Sequence, residues 1–376
     1  MIGPHEHEAQ TVWFISLYSK MLYVFVYKDV SHYFITDADK IYRIKVEPGV
    51  IHSYINLSVC RVAQTANFPS SLFMGCDKKD EIDEIRHEPV VEKNKNIYVL
   101  GAGGRLGKAI TDRLLSDMGM HTYNVIPVFE KFDDTEQGRK SFNAFLDMLV
   151  KRRIDEHDMI INCIAKTNVQ NHEEKDEYTR VNYQLSRKLT EFCVKNRFYF
   201  IHFSTDYVFQ KGELSPYTLS KVEYENWLNH FYENAILDQD NISQYIRIIR
   251  LANLFSLDKK DIHNMFNKLY SNCMKHDTMY VPKDLVLMPT EVTVIAEYLR
   301  TFIDHIDEKN LFTNVAGKPY KIQQVISDLF QFDDLDIQDV PEEDLTVMNH
   351  PELFLRNCVM LECSEQIIKK IQQIKG

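Results

Sequence analysis

The 376-residue chain has no continuous apolar run of roughly 18 residues, so no membrane-crossing helix is expected. It has no CxxC pair. Its seven cysteines stand apart at 60, 76, 163, 193, 273, 358 and 363, which argues against a disulfide framework or a zinc site and suits a reducing, cytoplasmic compartment. The opening MIGPHEHEAQ lacks the basic stretch of a secretory signal. Positive charge is in deficit, with 44 Lys and Arg against 55 Asp and Glu and a net charge of −11. A nucleic-acid partner is therefore not expected, because phosphate backbones require clustered cations. A single nucleotide remains compatible with the acidity, since backbone N–H groups at a helix start hold one pyrophosphate. Internal repeats and low-complexity tracts are also missing.

What is present is an ordinary globular composition, 44% hydrophobic and 26% charged. The length is about twice the usual domain of roughly 100–200 residues, so two domains are expected. Residues 1–88 carry short alternating segments, TVWFISL, KMLYVFVYKDV, HYFITD, IYRIKV and HSYINLSVCRVAQTA, and read as a small all-β domain. Residues 89–96 read as a linker. From 97 the texture changes to IYVL, GKAITDRLLSDM, VIPVF, SFNAFLDMLVKRRI, DMIINCIA, YTRVNYQLSRKLTEFCVKN, FYFIHFST, SPYTLSKVEYENWLNHFYEN and YIRIIRLANLF. Strands alternating with long helices predict an α/β, doubly wound parallel sheet over 97–376, whose C-terminal part forms a substrate lobe.

The turn after IYVL reads GAGGRLG, with glycines at Gly101, Gly104 and Gly107. Glycine supplies positive φ and lets backbone approach a pyrophosphate, and the helix start at Arg105, Leu106 and Gly107 faces it with N–H groups. Three glycines alone mark only a tight turn; the preceding strand and following helix make this one a dinucleotide site. At the end of the second strand Glu130 favours the ribose hydroxyl of NAD, whereas Lys131 and Arg105 favour the 2′-phosphate of NADP, so NADPH and NADH both remain open. Asn162 and Ala165 end the third strand, where small residues let a cofactor pass.

Tyr217 and Lys221 stand four apart, on one helix face. Reducing a carbonyl requires hydride on carbon and a proton on oxygen. A Tyr hydroxyl supplies that proton when a nearby ammonium lowers its pKa from about 10. Upstream, FYFIHFST ends in Ser204 and Thr205 at a strand's carboxyl end, the place where open α/β sheets bind ligands. Thr205 would bond the substrate carbonyl beside Tyr217. Ser204 is its rival and, with Asp206, a candidate substrate contact. Turn capping is the plain alternative for both hydroxyls.

Together GAGGRLG, NCIAKT, HFSTDYVF, YTLSK, RIIRLANLF, MPTEVTVIAEYL and LFTNVAGKPYKIQQVISDLF resemble the extended short-chain dehydrogenase/reductases, and most closely the dTDP-4-dehydrorhamnose reductase family, over about 96–370. The resemblance implies reduction at C4 of a nucleotide-linked 4-keto-6-deoxysugar, with Thr205, Tyr217 and Lys221 as catalytic trio. The eleven residues between Thr205 and Tyr217 are fewer than that family usually carries there. A regulatory subunit resembling that of methionine adenosyltransferase, which has the same fold, is the non-catalytic alternative.

The front also resembles a family, through GPHEHEAQT (3–11), EPGVIHSYIN (47–56) and DEIRHE (83–88). These are similar to cupins of the sugar 3,5-epimerase type. The resemblance implies His5 as the base that removes the proton beside the ketone, Asp83 as its partner, and His52 in the substrate site. His5, His7 and His52 also form a cupin metal pattern, and a purely structural role is the third reading; no metal is expected. The whole then reads as a bifunctional 3-epimerase (or 3,5-epimerase)/4-reductase, a homodimer acting on a UDP- or dTDP-linked ketosugar and giving an L-rhamnose or L-rhamnosamine donor.

Overall fold

The computed structural model describes residues 2–5, 11–17, 20–28, 30–36, 41–57, 64–69, 95–116, 123–133, 135–153, 157–167, 175–210, 212–237, 244–257, 265–281, 285–308, 310–332, 334–339, 354–356 and 358–361. By compactness the chain forms two units. One is Met1–Gly103 with Thr111–Ile161 and Asn196–Phe198; the other is Gly104–Ile110 with Asn162–Lys195 and Tyr199–Gly376.

The first unit has seven short strands among its described residues: β1 (Ile2–His5), β2 (Val12–Leu17), β3 (Met21–Tyr27), β4 (Val30–Ile35), β5 (Ile41–Val46), β6 (Ile51–Asn56) and β7 (Gln64–Pro69). They form two antiparallel sheets, ordered β1-β6-β3-β4 and β5-β2-β7. Val12 and Phe14 of β2 and Val46 of β5 bury against Met21 and Tyr23 of β3, so the two sheets share one core. Such side chains each contribute about 1.5–3 kcal/mol when fully buried. Gly49, at φ +75°, turns the chain between β5 and β6, where a side chain would be strained. Tyr33 of β4 hydrogen-bonds Asp112.

The remaining long strands are β8 (Lys95–Leu100), β9 (Tyr123–Val128), β10 (Met159–Asn162), β11 (Tyr199–Thr205), β12 (Ile246–Leu251), β13 (Phe312–Gly317) and β14 (Cys358–Leu361). Their sheet is ordered β14-β13-β12-β11-β10-β8-β9. The pairs β8–β9, β11–β12, β12–β13 and β13–β14 are parallel. β9, β10 and β11 are buried along their whole length, as in sheets covered on both faces. The helices include α1 (Arg105–Ser116), α2 (Glu136–Arg152), α3 (Ser186–Asn196), α4 (Pro216–Leu237), α5 (Met265–Lys275) and α6 (Val292–Asp304). A π-helical turn, Thr179–Leu185, leads into α3. The expected doubly wound parallel sheet is thus present. Strand order reverses at β8, between β9 and β10, the switch point at which such sheets open a ligand crevice.

Two motifs of the C-terminal part explain each other. A Cβ on Gly317, at the end of β13, would lie 2.0 Å from the Pro289 carbonyl oxygen. Its N–H donates to Thr290 Oγ1 at 2.9 Å. Only glycine lets NVAG pass so close to MPTEV. No described helix is long and apolar enough to cross a membrane.

Candidate active site

The glycine turn follows β8 directly. Gly101 takes φ +71°, and the Ala102 N–H donates to the Val128 carbonyl at 3.2 Å. Gly104 carries the first helical carbonyl, accepting from Lys108 N at 2.8 Å. Arg105, Leu106 and Gly107 thus form the first turn of α1, whose N–H groups have no earlier helical carbonyl to meet. Arg105 and Leu106 are half-buried and Gly107 is buried.

Thr205 ends β11 and caps the short 3₁₀ turn Asp206–Phe209. Its hydroxyl accepts from Tyr207 N at 3.3 Å and donates to Asp206 Oδ1 at 3.0 Å. Tyr217 stands in the first turn of α4, where Ser215 Oγ accepts from Thr218 N at 3.1 Å. The Thr205 hydroxyl lies close enough to the Tyr217 phenol to lower its pKa. The structure therefore brings together the two hydroxyls paired from sequence. Burial pushes the Tyr217 phenol up to about 12; Thr205 opposes the rise and the Asp206 carboxylate adds to it. Burial likewise lifts Asp206 to about 6.

Lys221 lies one turn further along α4 and is 2% exposed. Its Nζ donates to the Phe203 carbonyl at 2.8 Å and lies 3.3 Å from His202 Nε2. Burial pulls its ammonium down to about 8, against the carboxylate of Glu225, which favours the charged form. His202 Nδ1 is 3.1 Å from Asn162 Nδ2, and Asn162 Oδ1 accepts from Ile164 N at 3.1 Å. Burial and the Lys221 charge hold His202 neutral, well below the usual histidine range. Asn162 therefore reaches Lys221 through a histidine that sequence reasoning did not select. Ala165 is half-buried three residues beyond Asn162.

The hydroxyl of Ser204 points elsewhere, donating to Glu225 Oε1 at 2.6 Å. Glu225 is clamped by Arg250, with Nε at 3.1 and 3.2 Å and Nη2 at 2.6 Å. Arg250 in turn lies over the Phe312 ring at 4.3 Å and the Phe209 ring at 5.0 Å. Neither Glu225 nor Arg250 was selected from sequence, although Glu225 stands four residues beyond Lys221, the helical spacing already used for Tyr217.

In the front sandwich, His5 and His52 are directly opposed across the β1–β6 pair. His52 is buried, its Nδ1 3.0 Å from the Val50 carbonyl and its ring edge-on to Phe14 at 5.3 Å. His7 and Asp83 lie outside the described residues. Among the described residues no group of three or more His, Cys, Asp or Glu could hold a metal.

A doubly wound sheet, a glycine turn after its first strand and a Thr–Tyr–Lys set at the exit of a central strand define a dinucleotide-fold protein of reductase type. The family follows from the sequence model described as RmlD substrate binding domain, which matches residues 95–317, more than half of the chain. The chain belongs to this family, that of the dTDP-4-dehydrorhamnose reductases. A dTDP-4-dehydrorhamnose reductase from Clostridium acetobutylicum is 20% identical with a TM-score of 0.54, over 75% of this chain and 100% of that one. Another from Bacillus anthracis, in complex with NADP, is 18% identical with a TM-score of 0.53, over 74% and 98%. A GDP-L-fucose synthetase from Naegleria fowleri is 14% identical with a TM-score of 0.52, over 75% and 93%. At these identities the likeness is one of fold. No curated protein matches the chain by sequence. The family match begins at residue 95 and leaves the front sandwich, and with it the cupin resemblance, without support from these comparisons.

Proposed function

We propose that the chain is an NADPH-dependent reductase acting on the 4-keto group of a nucleotide-linked 6-deoxyhexose, with Thr205, Tyr217 and Lys221 as its catalytic groups. The observation that carries this reading is the placement of Thr205 at the end of β11 and of Tyr217 and Lys221 one helical turn apart on α4, with the Thr205 hydroxyl acting on the Tyr217 phenol. The family supports a ketosugar as substrate, and the NADP bound to the Bacillus anthracis reductase supports the cofactor.

The residues present fit a dinucleotide. Gly101 adopts the left-handed turn, a Cβ built on Gly103 would meet the Phe129 ring at 3.6 Å, and the first turn of α1 offers N–H groups to a pyrophosphate. Asn162 and Ala165 line the next strand end. When bound, the cofactor supplies hydride. The chain supplies the rest. Tyr217 presents its hydroxyl to the carbonyl oxygen and orients it, and Thr205, whose proton otherwise goes to Asp206 Oδ1, turns that proton to the same oxygen when substrate binds. Burial overturns the expected lowering and raises the Tyr217 phenol to about 12, so it is protonated at neutral pH and holds the proton to be donated. Its proton passes to the oxygen as negative charge develops there, and the Lys221 ammonium stabilises the phenolate left behind. Ser204, held by Glu225, acts as support for this helix, and Asp206 sets the Thr205 hydroxyl.

The finer reading keeps a separate front domain, 1–88, joined by 89–96 to the reductase, 97–376. There His5, with Asp83 as partner and His52 beside the substrate, inverts C3, or C3 and C5, of the same UDP- or dTDP-linked ketosugar. The opposition of His5 and His52 on adjacent strands supports that reading. A cytoplasmic homodimer is the accompanying expectation. The test is NADPH oxidation with UDP- and dTDP-linked 4-keto-6-deoxyhexoses, run in deuterated water with products identified by NMR. Tyr217→Phe should lower kcat about 100-fold or more, and His5→Ala should abolish label at C3. No turnover by wild type, or unchanged turnover in Tyr217→Phe, refutes the reductase. Label that persists in His5→Ala refutes the role of His5.

A further inference from the structure

We propose that Arg250 is a positioning residue for the ketone reduction: through Glu225 and Phe209 it holds the chain on both sides of Thr205 and fixes that hydroxyl relative to Tyr217. The inference rests on the reductase reading above. Ser204, Arg250 and Asn314 are direct register partners on the adjacent strands β11, β12 and β13. They make a polar row across the sheet, one residue short of Thr205, where β11 ends.

The guanidinium reaches in three directions from this row. Its Nε and Nη2 grip both carboxylate oxygens of Glu225, at 3.1 and 2.6 Å. Glu225 belongs to α4, the helix of Tyr217 and Lys221, and accepts from the Ser204 hydroxyl at 2.6 Å. The guanidinium also lies over the ring of Phe209 at 5.0 Å, and Phe209 closes the 3₁₀ turn that Thr205 caps. Nη1 donates to Asn314 Oδ1 at 3.4 Å, and Asn314 Nδ2 donates to the Phe354 carbonyl at 2.7 Å. The Phe354 ring in turn meets Phe209 edge-on at 6.2 Å. Ser204, immediately before Thr205, and Phe209, four residues after it, are thus tied to one guanidinium. That guanidinium is tied to the catalytic helix.

The pair is costly to bury, with Glu225 7% and Arg250 15% exposed. Desolvation offsets the attraction, so two apolar side chains of the same volume would hold α4 to the sheet about as well. What they would not supply is direction. A planar fork on a carboxylate fixes both distance and angle. The chemistry depends on both, because Thr205 and Tyr217 must meet one oxygen, and a shift of about 1 Å costs roughly 100-fold in rate. The plain alternative is that the pair only seats α4.

The double variant Glu225→Gln/Arg250→Met tells the two apart, because it removes both charges together and leaves Ser204 an acceptor. Its melting temperature should stay near that of wild type. Its kcat, read with NADPH and the ketosugar at a pH below the alkaline limb, should fall about 100-fold, with KM for NADPH within about twofold. Hydride transfer then limits turnover, so the isotope effect on kcat with NADPH deuterated at the transferred position should rise. Arg250→Lys keeps the ion pair without the fork; it should lower kcat about tenfold with the same rise in isotope effect, and it decides the matter if the double variant does not fold. Unchanged kcat and isotope effect in a folded variant overturn the proposal and leave the reductase reading intact. A fall in kcat that follows a lowered melting temperature, with the isotope effect unmoved, identifies a seating role and overturns it in the same way. A wild-type protein without turnover sinks the reductase reading itself.

Discussion

Glu225 offers the sharpest test of how the site is held. Its side chain is 7% exposed and that of its partner Arg250 15%, so the pair is nearly cut off from water. The carboxylate accepts from Ser204 and from two nitrogens of Arg250. Glu225→Gln keeps one acceptor oxygen but removes the charge, leaving the Arg250 guanidinium uncompensated between the Phe312 and Phe209 rings. Breaking a buried ion pair from one side costs roughly 3–5 kcal/mol. Because the amide retains part of the hydrogen bonding, about 3 kcal/mol is expected in urea unfolding. A second effect is independent of stability. The Glu225 charge raises the Lys221 pKa, which burial has brought to about 8. Its removal lowers that pKa further, so the alkaline limb of kcat/KM should move to lower pH in Glu225→Gln. A stability loss under about 1 kcal/mol would show that the pair is solvated. A limb that stays in place or moves upward would refute the coupling to Lys221.

Two further outcomes are expected. In wild type the reaction needs Lys221 charged, and its pKa is lowered from the ordinary lysine value to about 8, so kcat/KM should be level below that pH and fall tenfold per unit above it; a limb near 10.5 would contradict the burial described. Gly317→Ala should lose more than about 3 kcal/mol or fail to fold, since the new Cβ meets a backbone carbonyl that cannot swing away, and an unfolding midpoint like that of wild type would refute the contact.

The sheet was legible because its strands are buried on both faces and so read as largely apolar runs such as DMIINCIA and FYFIHFST, without alternation. The front strands were legible for the opposite reason, their alternation. β1 was not, because Ile2–His5 (IGPH) carries a proline and a glycine and is a strand only by pairing with β6, with a register irregularity between Ile2 and His5. The π-helical Thr179–Leu185 escaped notice because side-chain periodicity does not reveal which carbonyl each N–H meets. At the site, Tyr217 and Lys221 were readable as a helical pair and Thr205 as a strand end. The Ser204–Glu225–Arg250 cluster was not assembled, since its members lie on β11, α4 and β12. Two signals existed: a carboxylate continuing the Tyr217–Lys221 spacing, and an arginine inside the apolar run RIIRLANLF, which needs a buried partner.

Asn162 reaches Lys221 through one intervening side chain, His202. The Asn162 side-chain oxygen takes the N–H of Ile164, so its amide nitrogen faces His202 Nδ1 at 3.1 Å. That nitrogen donates, and Nδ1 must accept. A neutral imidazole has one N–H, which then sits on Nε2, 3.3 Å from Lys221 Nζ. An ammonium meets no acceptor there, and its firm partner is the Phe203 carbonyl at 2.8 Å. Once deprotonated, the amine would instead accept the Nε2 proton. The arrangement therefore favours the neutral lysine in the same direction as burial does, and keeps its pKa close to working pH. Nitrogen-15 NMR of histidine-labelled protein should show His202 as the Nε2–H tautomer and still neutral near pH 6. A proton found on Nδ1 would turn Nε2 into an acceptor for the ammonium, reverse the sign of its influence on Lys221, and leave burial alone to account for the lowered pKa.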